Sequence, residues 1–172
     1  TNWPAWQAAI SACSMEKSPH HLQSDTEFLA KIPLFAELSP AELQVLVRQS
    51  SVDTFEPGQR IVTAGEPGHC MYVVLSGRAE VTAGKRTLAT LTAGEFFGEV
   101  ALVDDGPRSA DVTASEACKL LCITSTTLGV LAGLEPGAAI HLLAAIGRCL
   151  VARLRACQQK YMDLVPLGGQ SS

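Results

Sequence analysis

Apolar residues near the N-terminus recur at the three- and four-residue spacing of an amphipathic helix. Phe28, Leu29 and Ile32 follow this spacing, and Pro33 ends the segment because proline has no backbone N–H to donate. Residues 25–50 are therefore predicted to be helical, with a break at Pro33.

A second helix start follows at the tetrapeptide Ser39-Pro40-Ala41-Glu42. The serine suits the capping position, the proline suits the first helical position, and the glutamate completes a capping box. This start predicts a helix whose apolar stripe consists of Leu43, Leu46 and Val47.

From residue 52 to residue 124 the pattern changes to short β-branched and aliphatic segments that glycine-containing turns separate. Strands of this length and spacing are typical of an antiparallel roll or barrel. Ala83-Gly84-Lys85 predicts a tight hairpin turn between two of them. The predicted strands are 60–63, 71–75, 78–82, 87–91, 109–113 and 117–123.

Helical spacing returns over residues 125–165, where Pro136-Gly137 separates a short helix from a long one that starts near residue 138. Apolar positions along the long helix are four and three residues apart, which is the a/d pattern of a coiled coil. The pattern fits a helix packed on the roll and equally a helix that forms a homodimer, and the sequence leaves both open. The seam consists of Leu143, Gly147, Leu150, Leu154, Cys157, Tyr161 and Leu164.

Together these segments predict one domain of the α+β class that is mainly β. Its expected form is an antiparallel β-roll, or jelly roll, with flanking N-terminal helices and a long C-terminal helix. A chain of 172 residues is long enough to bury such a core. The predicted domain covers residues 25–165, with the β-roll at 52–124 and the C-terminal helices at 125–165.

The two ends of the chain are predicted to lie outside this domain. Residues 1–24 contain Trp3 and Trp6 on a weakly helical pattern, and they lack the charged and apolar regions of a signal peptide. We therefore expect an N-terminal extension or linker there. Residues 166–172 are rich in glycine and serine and predict a flexible tail.

Charge and composition narrow the classes of function. Thirteen basic residues stand against seventeen acidic ones, and the net charge of −4 argues against a surface for nucleic acids. No apolar run reaches the length that crosses a bilayer, so we expect no membrane span and a cytoplasmic protein. The six cysteines form no C-x-x-C pair and the four histidines are scattered, which predicts reduced thiols and no metal site.

Candidate chemistry concentrates in the segment from Phe97 to Ala110. Gly98 allows an anion to approach the backbone, and the short helix predicted after it would point free N–H groups toward that anion. Arg108 is predicted to open the next strand, from where its guanidinium meets the same anion, and Glu99 suits a sugar hydroxyl. One cation and one hydroxyl acceptor indicate a ribose phosphate of low charge. A structural salt bridge between Glu99 and Arg108 is the alternative that the residues alone leave open.

This segment closely resembles the phosphate-binding cassette of cyclic nucleotide-binding domains, which reads F-G-E-x-A-L, a short gap, then P-R-[ST/A]-A. The sequence here is Phe97-Gly98-Glu99-Val100-Ala101-Leu102, followed by Pro107-Arg108-Ser109-Ala110. Glycines upstream, such as Gly58, Gly65 and Gly77, also match the strand-and-turn frame of that family. The resemblance covers about residues 28–160. The family that the chain resembles includes catabolite activator proteins and regulatory subunits of protein kinase A.

The resemblance implies a role for each matching residue. Glu99 would accept the ribose 2′-hydroxyl, and Arg108 would bind the exocyclic phosphate oxygens. The C-terminal helix would cover the base. Further implied ligand-binding residues are Gly98, Val100, Ala101 and Ala110 in the cassette, Ser109 near phosphate and purine, and Val81 and Leu88 on the wall beside ribose or base. Candidates for covering the base are Leu150, Arg153, Leu154 and Cys157.

The resemblance also implies a function without catalysis. The chain would be a sensory or regulatory domain that binds a cyclic nucleotide, with cAMP favoured by the Arg-Ser-Ala sequence and cGMP still open. It would relay binding through its C-terminal helix to a fused or associated effector of unknown identity. A ligand-independent dimerisation or interaction module on the same fold is the alternative.

Other functions find less support in the sequence. The chain has no kinase signature, no Walker loop and no nucleophile constellation, so we expect no enzyme, no cofactor and no metal. Regulators of the catabolite activator type continue into a helix-turn-helix after the long helix. Only about seven residues follow that helix here, so we expect this chain to make no contact with DNA.

Overall fold

Alternation of apolar residues with glycine turns produces eight strands in the computed structural model, which describes residues 19–104 and 106–164. All strand pairs are antiparallel. The strands are β1 (Ser51–Phe55), β2 (Arg60–Val62), β3 (Cys70–Ser76), β4 (Arg78–Ala83), β5 (Arg86–Thr92), β6 (Phe96–Phe97), β7 (Asp111–Ala114) and β8 (Cys118–Thr124).

The strands form two four-stranded sheets, ordered β1-β8-β3-β6 and β2-β7-β4-β5. A cluster of buried residues fills the space inside this roll, and Val74, Phe97 and Leu120 belong to it. On the other side of the first sheet, Val73, Leu121 and Ile123 pack against the helices. Strand β8 is therefore covered on both faces, which explains its nearly continuous run of apolar residues.

Within the described part of the chain, four α-helices flank the sheets, two before them and two after. They are α1 (Pro19–Leu29), α2 (Pro40–Gln49), α3 (Ser125–Leu134) and α4 (Pro136–Leu164), with a 3-10 turn at Pro33–Phe35. This arrangement confirms the predicted α+β class, mainly β, with an antiparallel roll, N-terminal helices and a long C-terminal helix. The described part of α1 covers Pro19–Leu29, so helix is present before the predicted start at residue 25. The predicted weak helix around Trp3 and Trp6 and the predicted tail at 166–172 lie outside the described residues.

Local signals placed several boundaries correctly. In α2 the Ser39 hydroxyl accepts a hydrogen bond from the Glu42 N–H, and the Glu42 carboxylate accepts one from the Ser39 N–H at 2.7 Å. This backbone hydrogen bond also lowers the pKa of Glu42. Residues Ala83 and Arg86 face each other across the predicted hairpin, so its loop has two residues, and Gly84 has a φ of +58°.

Helix α4 changes its surroundings halfway along its length. Leu142 and Ile146 are fully buried against the helical core, whereas every side chain described from Val151 onward is exposed. The predicted seam is therefore mostly open to solvent, with Leu150 half-buried and Leu154 and Tyr161 exposed. The side chain of Leu164 lies outside the description.

Helix α4 is also long and apolar enough to cross a membrane by length and composition, over residues 136–163, with a mean hydropathy of 1.5 in its best window. The sequence pattern alone had indicated no such run. The criterion is weak support for a span, because core helices of soluble proteins meet it too, and the first half of α4 packs against the helical core.

Candidate functional site

Two glycines leave room for the Arg108 side chain at the centre of the candidate site. Gly98 has a φ of +76°, which glycine adopts at no steric cost, and it ends β6 just before a 3-10 turn at Glu99–Leu102. A Cβ at Gly98 would collide with Nη1 of Arg108, and a Cβ at Gly68 would lie 2.9 Å from Nε. The guanidinium therefore packs directly against the backbone of these two glycines, where a Cβ atom would collide with it.

The Arg108 guanidinium is turned inward, and only part of its hydrogen-bonding capacity is used. Its Nη2 donates to the Cys70 carbonyl oxygen at 2.8 Å and lies 3.5 Å from the Cys70 Sγ. Its Nη1 is buried and has no hydrogen-bond partner among the described residues. A buried donor that lacks an acceptor is unfavourable, so this nitrogen is suited to an incoming anion.

Backbone hydrogen bonds fix the position of Arg108 between two loops. Its N–H donates to the Glu66 carbonyl, and its own carbonyl accepts from the Gly65 N–H, both at 2.8 Å. The prediction that Arg108 opens a strand was wrong, since β7 begins at Asp111. The pairing of Arg108 with the loop before β3 explains this, because its backbone groups are used there rather than in the sheet.

Glu99 is almost fully buried and forms an ion pair with Arg153 of α4. Arg153 also lies over the Phe96 ring, 5.3 Å from its centroid, and donates to the Phe96 carbonyl at 3.4 Å. The alternative salt bridge between Glu99 and Arg108 is therefore absent from the described residues. Instead, the carboxylate of the cassette is connected to the long helix.

The other predicted site residues differ in exposure. Ala101 is buried and its N–H donates to the Gly98 carbonyl at 3.1 Å, so the turn uses this donor internally. Val100 and Ser109 are exposed, and Ala110 is half-buried just before β7. The predicted wall residues lie on the β4–β5 hairpin: Val81 packs against the core of the roll, while Leu88 is exposed at a bulge.

The helix residues predicted to cover the base are also spread out. Leu150 packs partly against the helical core, whereas Leu154 and Cys157 are exposed on the second half of α4. Of this group, Arg153 contacts the cassette through its ion pair with Glu99. The structure thus brings together Gly98, Glu99, Arg108 and Arg153.

The residues near the start of β3 and on β8 that lie beside the Arg108 guanidinium were not identified from the sequence. Gly68 and Cys70 contact the guanidinium, and the β3–β8 register brings Cys122 opposite Tyr72, beside Cys70. A hydrogen bond with Cys122 lowers the pKa of the Cys70 thiol to about 6, while the same bond raises the pKa of Cys122. No local motif joins these residues, because only the pairing of distant strands makes them neighbours.

The site has the chemistry of a socket for one small anion with a hydroxyl acceptor beside it. It offers the partly unpaired guanidinium of Arg108, a glycine-opened turn and the buried carboxylate of Glu99, which is paired with Arg153. Among the described residues, no group of three or more His, Cys, Asp or Glu side chains is arranged to hold a metal ion.

Comparisons with known proteins point to the same chemistry. Residues 52–134 match the family described as "Cyclic nucleotide-binding domain". A cGMP-dependent protein kinase of Eimeria tenella is 35% identical over 114 residues, which are 66% of this chain and 11% of that protein. This chain therefore spans only a small part of that relative.

Solved structures agree in fold. The N-terminal domain of a transcriptional regulator from Streptomyces coelicolor has a TM-score of 0.66 and 31% identity, and the match covers 73% of this chain and 94% of that one. The regulatory domain of Toxoplasma gondii PKA, solved with cAMP, has a TM-score of 0.62 and 26% identity. That match covers 67% of this chain and 46% of the Toxoplasma chain. This chain therefore belongs to the cyclic nucleotide-binding domain family, as its cassette predicts.

Proposed function

We propose that the chain binds cAMP at this socket and acts as a regulatory domain without catalysis, in the cytoplasm. The buried Nη1 of Arg108, which has no acceptor among the described residues, carries the proposal. A cyclic phosphodiester has a single negative charge, which one guanidinium and the N–H groups of a turn can match. A nucleoside di- or triphosphate would require more cations or a metal.

The remaining roles are those that the family resemblance implies, and we propose them for the matching residues. Glu99 is buried beside the socket and would accept the ribose 2′-hydroxyl, while Gly98, Val100, Ala101, Ser109 and Ala110 would surround the phosphate. Val81 and Leu88 would face ribose or base from the β4–β5 hairpin. The preference for cAMP is supported by the Arg-Ser-Ala sequence and by the likeness to a regulatory domain solved with cAMP.

Isothermal titration with cAMP and with cGMP tests the proposal. We expect cAMP to bind about tenfold or more tightly than cGMP, a difference of ~1.4 kcal/mol. Tighter binding of cGMP would reverse the assignment of the ligand. If neither nucleotide binds and sedimentation shows a concentration-dependent dimer, the alternative of a ligand-independent interaction module is supported; the exposed Val151, Leu154 and Tyr161 of α4 favour that alternative.

The proposed output runs through Arg153. This residue joins the buried Glu99 to the half of α4 whose side chains are exposed. A ribose hydroxyl on Glu99 would share or replace the Arg153 interaction. The ligand would then have different affinities for the state in which α4 is joined to Glu99 and for a state in which it is released. Only such a difference allows a ligand to shift a conformational equilibrium.

Hydrogen exchange over residues 151–163 measures this relay. We expect cAMP to change the exchange of this segment in the native chain, and we expect Arg153→Gln to abolish most of that change. The cAMP affinity itself should shift by less than about fivefold, because ion pairs with an exposed partner contribute ~0.2–1 kcal/mol. Arg155→Gln on the same helix is the matched control and should leave the response intact. A full response in Arg153→Gln would disprove the relay.

A further inference from the structure

The thiol of Cys70 shares the guanidinium that the proposed ligand needs. Nη2 of Arg108 lies 3.5 Å from the Cys70 Sγ and donates to the carbonyl of the same residue at 2.8 Å. Cys70 is the first residue of β3 and is only partly buried. Any chemical change at this sulfur would take place next to Arg108.

Two further groups from the sheet surround this thiol. Tyr72 lies directly across from Cys122 in the β3–β8 pair, and residues two positions apart on a strand share a face. The side chains of Cys70, Tyr72 and Cys122 therefore lie together on one face of the sheet. Cys122 is buried, and its hydrogen bond with Cys70 supports the negative charge of the Cys70 sulfur.

This environment shifts the pKa values of the Cys70 and Cys122 thiols in opposite directions. The hydrogen bond from Cys122, with smaller contributions from Tyr72 and from the Arg108 charge, outweighs burial and lowers the pKa of Cys70. The pKa of Cys122 is raised, first by its hydrogen bond to Cys70 and then by burial. The lowered pKa favours the thiolate form of Cys70, which is the reactive form of cysteine.

We propose that Cys70 is an oxidant-sensitive site whose oxidation by a hydroperoxide weakens anion binding at Arg108. The inference rests on the proposed nucleotide function for its regulatory consequence but not for the reactivity of the thiol. The Cys70 thiolate attacks hydrogen peroxide: an S–O bond forms, the O–O bond breaks, and hydroxide leaves and is protonated to water by the buffer. Sulfur loses two electrons and the peroxide gains them, which gives the sulfenic acid.

The product changes what the guanidinium contacts. A sulfenic oxygen on Cys70 is a stronger hydrogen-bond acceptor than sulfur, and when ionised it pairs with Arg108 as a carboxylate does. A cyclic phosphate must then compete with an acceptor fixed inside the protein. Oxidation is therefore expected to reduce cAMP affinity about tenfold or more, the scale of one charge-assisted hydrogen bond.

Labelling of the full, reduced chain tests the reactive thiol. Peroxide is added in the presence of dimedone, which traps sulfenic acids, and peptide mass spectrometry measures the rate at each cysteine. We expect Cys70 to be labelled faster than Cys157, although Cys157 is exposed on α4. Saturating cAMP should slow the labelling of Cys70. Equal or faster labelling of Cys157 overturns the proposal, whether or not the chain binds nucleotide.

Titration with cAMP after peroxide treatment tests the consequence. The native chain should lose about tenfold or more in affinity, whereas Cys70→Ser and Cys70→Ala should be insensitive to peroxide. Unchanged affinity after complete conversion of Cys70 overturns the proposal. If the reduced chain does not bind cAMP at all, the proposed nucleotide function fails and the regulatory consequence fails with it, while the labelling rates still decide whether Cys70 is the reactive thiol.

Discussion

Replacement of Arg108 with alanine is expected to weaken cAMP binding by about 2–5 kcal/mol, because a buried anion that loses its charged partner is left uncompensated. This corresponds to roughly thirtyfold to several thousandfold in Kd. The backbone N–H groups of the glycine turn would remain, so some binding should survive. Isothermal titration of cAMP against the purified variant measures the loss.

The stability of the same variant separates a binding role from a structural one. Alanine removes the buried Nη1 donor that lacks an acceptor, and it also removes the bond from Nη2 to the Cys70 carbonyl. These two changes oppose each other, so the melting temperature without ligand should change little. Stabilisation by saturating cAMP should disappear, because only a ligand that binds the folded state raises its stability.

Two further variants sharpen the test. Arg108→Lys keeps the charge but loses the planar fork, so it should recover only part of the affinity. Arg78→Ala removes a half-exposed arginine whose ion pair with Glu116 lies on the surface, and it should leave binding unchanged. Unaltered affinity in Arg108→Ala would remove this residue from the phosphate site.

Much of the fold was predictable because its signals are local. The capping box at Ser39 and Glu42 sets a helix start within four residues, and Gly84 sets a hairpin within two. The cassette is likewise contiguous, so its glycine turn and short helix could be recognised from residues 97–102.

Features that depend on distant pairing were missed. The two-residue strand β6 has no pattern of its own and exists because Phe97 pairs with Tyr72, whose ring stacks on it at 5.3 Å. Strand β1 was not predicted either, since its sequence Ser-Val-Asp-Thr-Phe is mostly polar and its partner β8 lies far along the chain.

The same difference applies to the site: residues of the contiguous cassette were predictable, and partners from distant elements were not. Arg108 and Glu99 were named from their cassette, but their partners were not predictable because they come from other elements. The β3 strand supplies Cys70 to Arg108, and α4 supplies Arg153 to Glu99. The sequence alternatives for Glu99 considered only Arg108, which lies nine positions along the chain and belongs to the same motif.

Replacement of Glu99 with glutamine is expected to weaken cAMP about tenfold or more while leaving 2′-deoxy-cAMP unaffected. A hydrogen bond to a charged group contributes ~1.5–3 kcal/mol, and the carboxylate can make one with the 2′-hydroxyl only when that hydroxyl is present. Glutamine has nearly the same shape, so the buried site should keep its packing. Titration of both ligands against both proteins gives a thermodynamic cycle like a double-mutant cycle, in which the second change is the loss of the 2′-hydroxyl. Its coupling energy measures the contact between Glu99 and that hydroxyl.

The ion pair with Arg153 requires its own control, because glutamine also removes that charge. Arg153→Gln breaks the same pair and keeps the Glu99 carboxylate. If the lost ion pair caused the weaker binding, Arg153→Gln would reproduce it, and for the 2′-deoxy ligand as well. If the ribose contact caused it, Arg153→Gln would preserve the discrimination between the two ligands and Glu99→Gln would erase it. Equal losses for cAMP and 2′-deoxy-cAMP in Glu99→Gln would show that the buried carboxylate serves the helix and not the sugar.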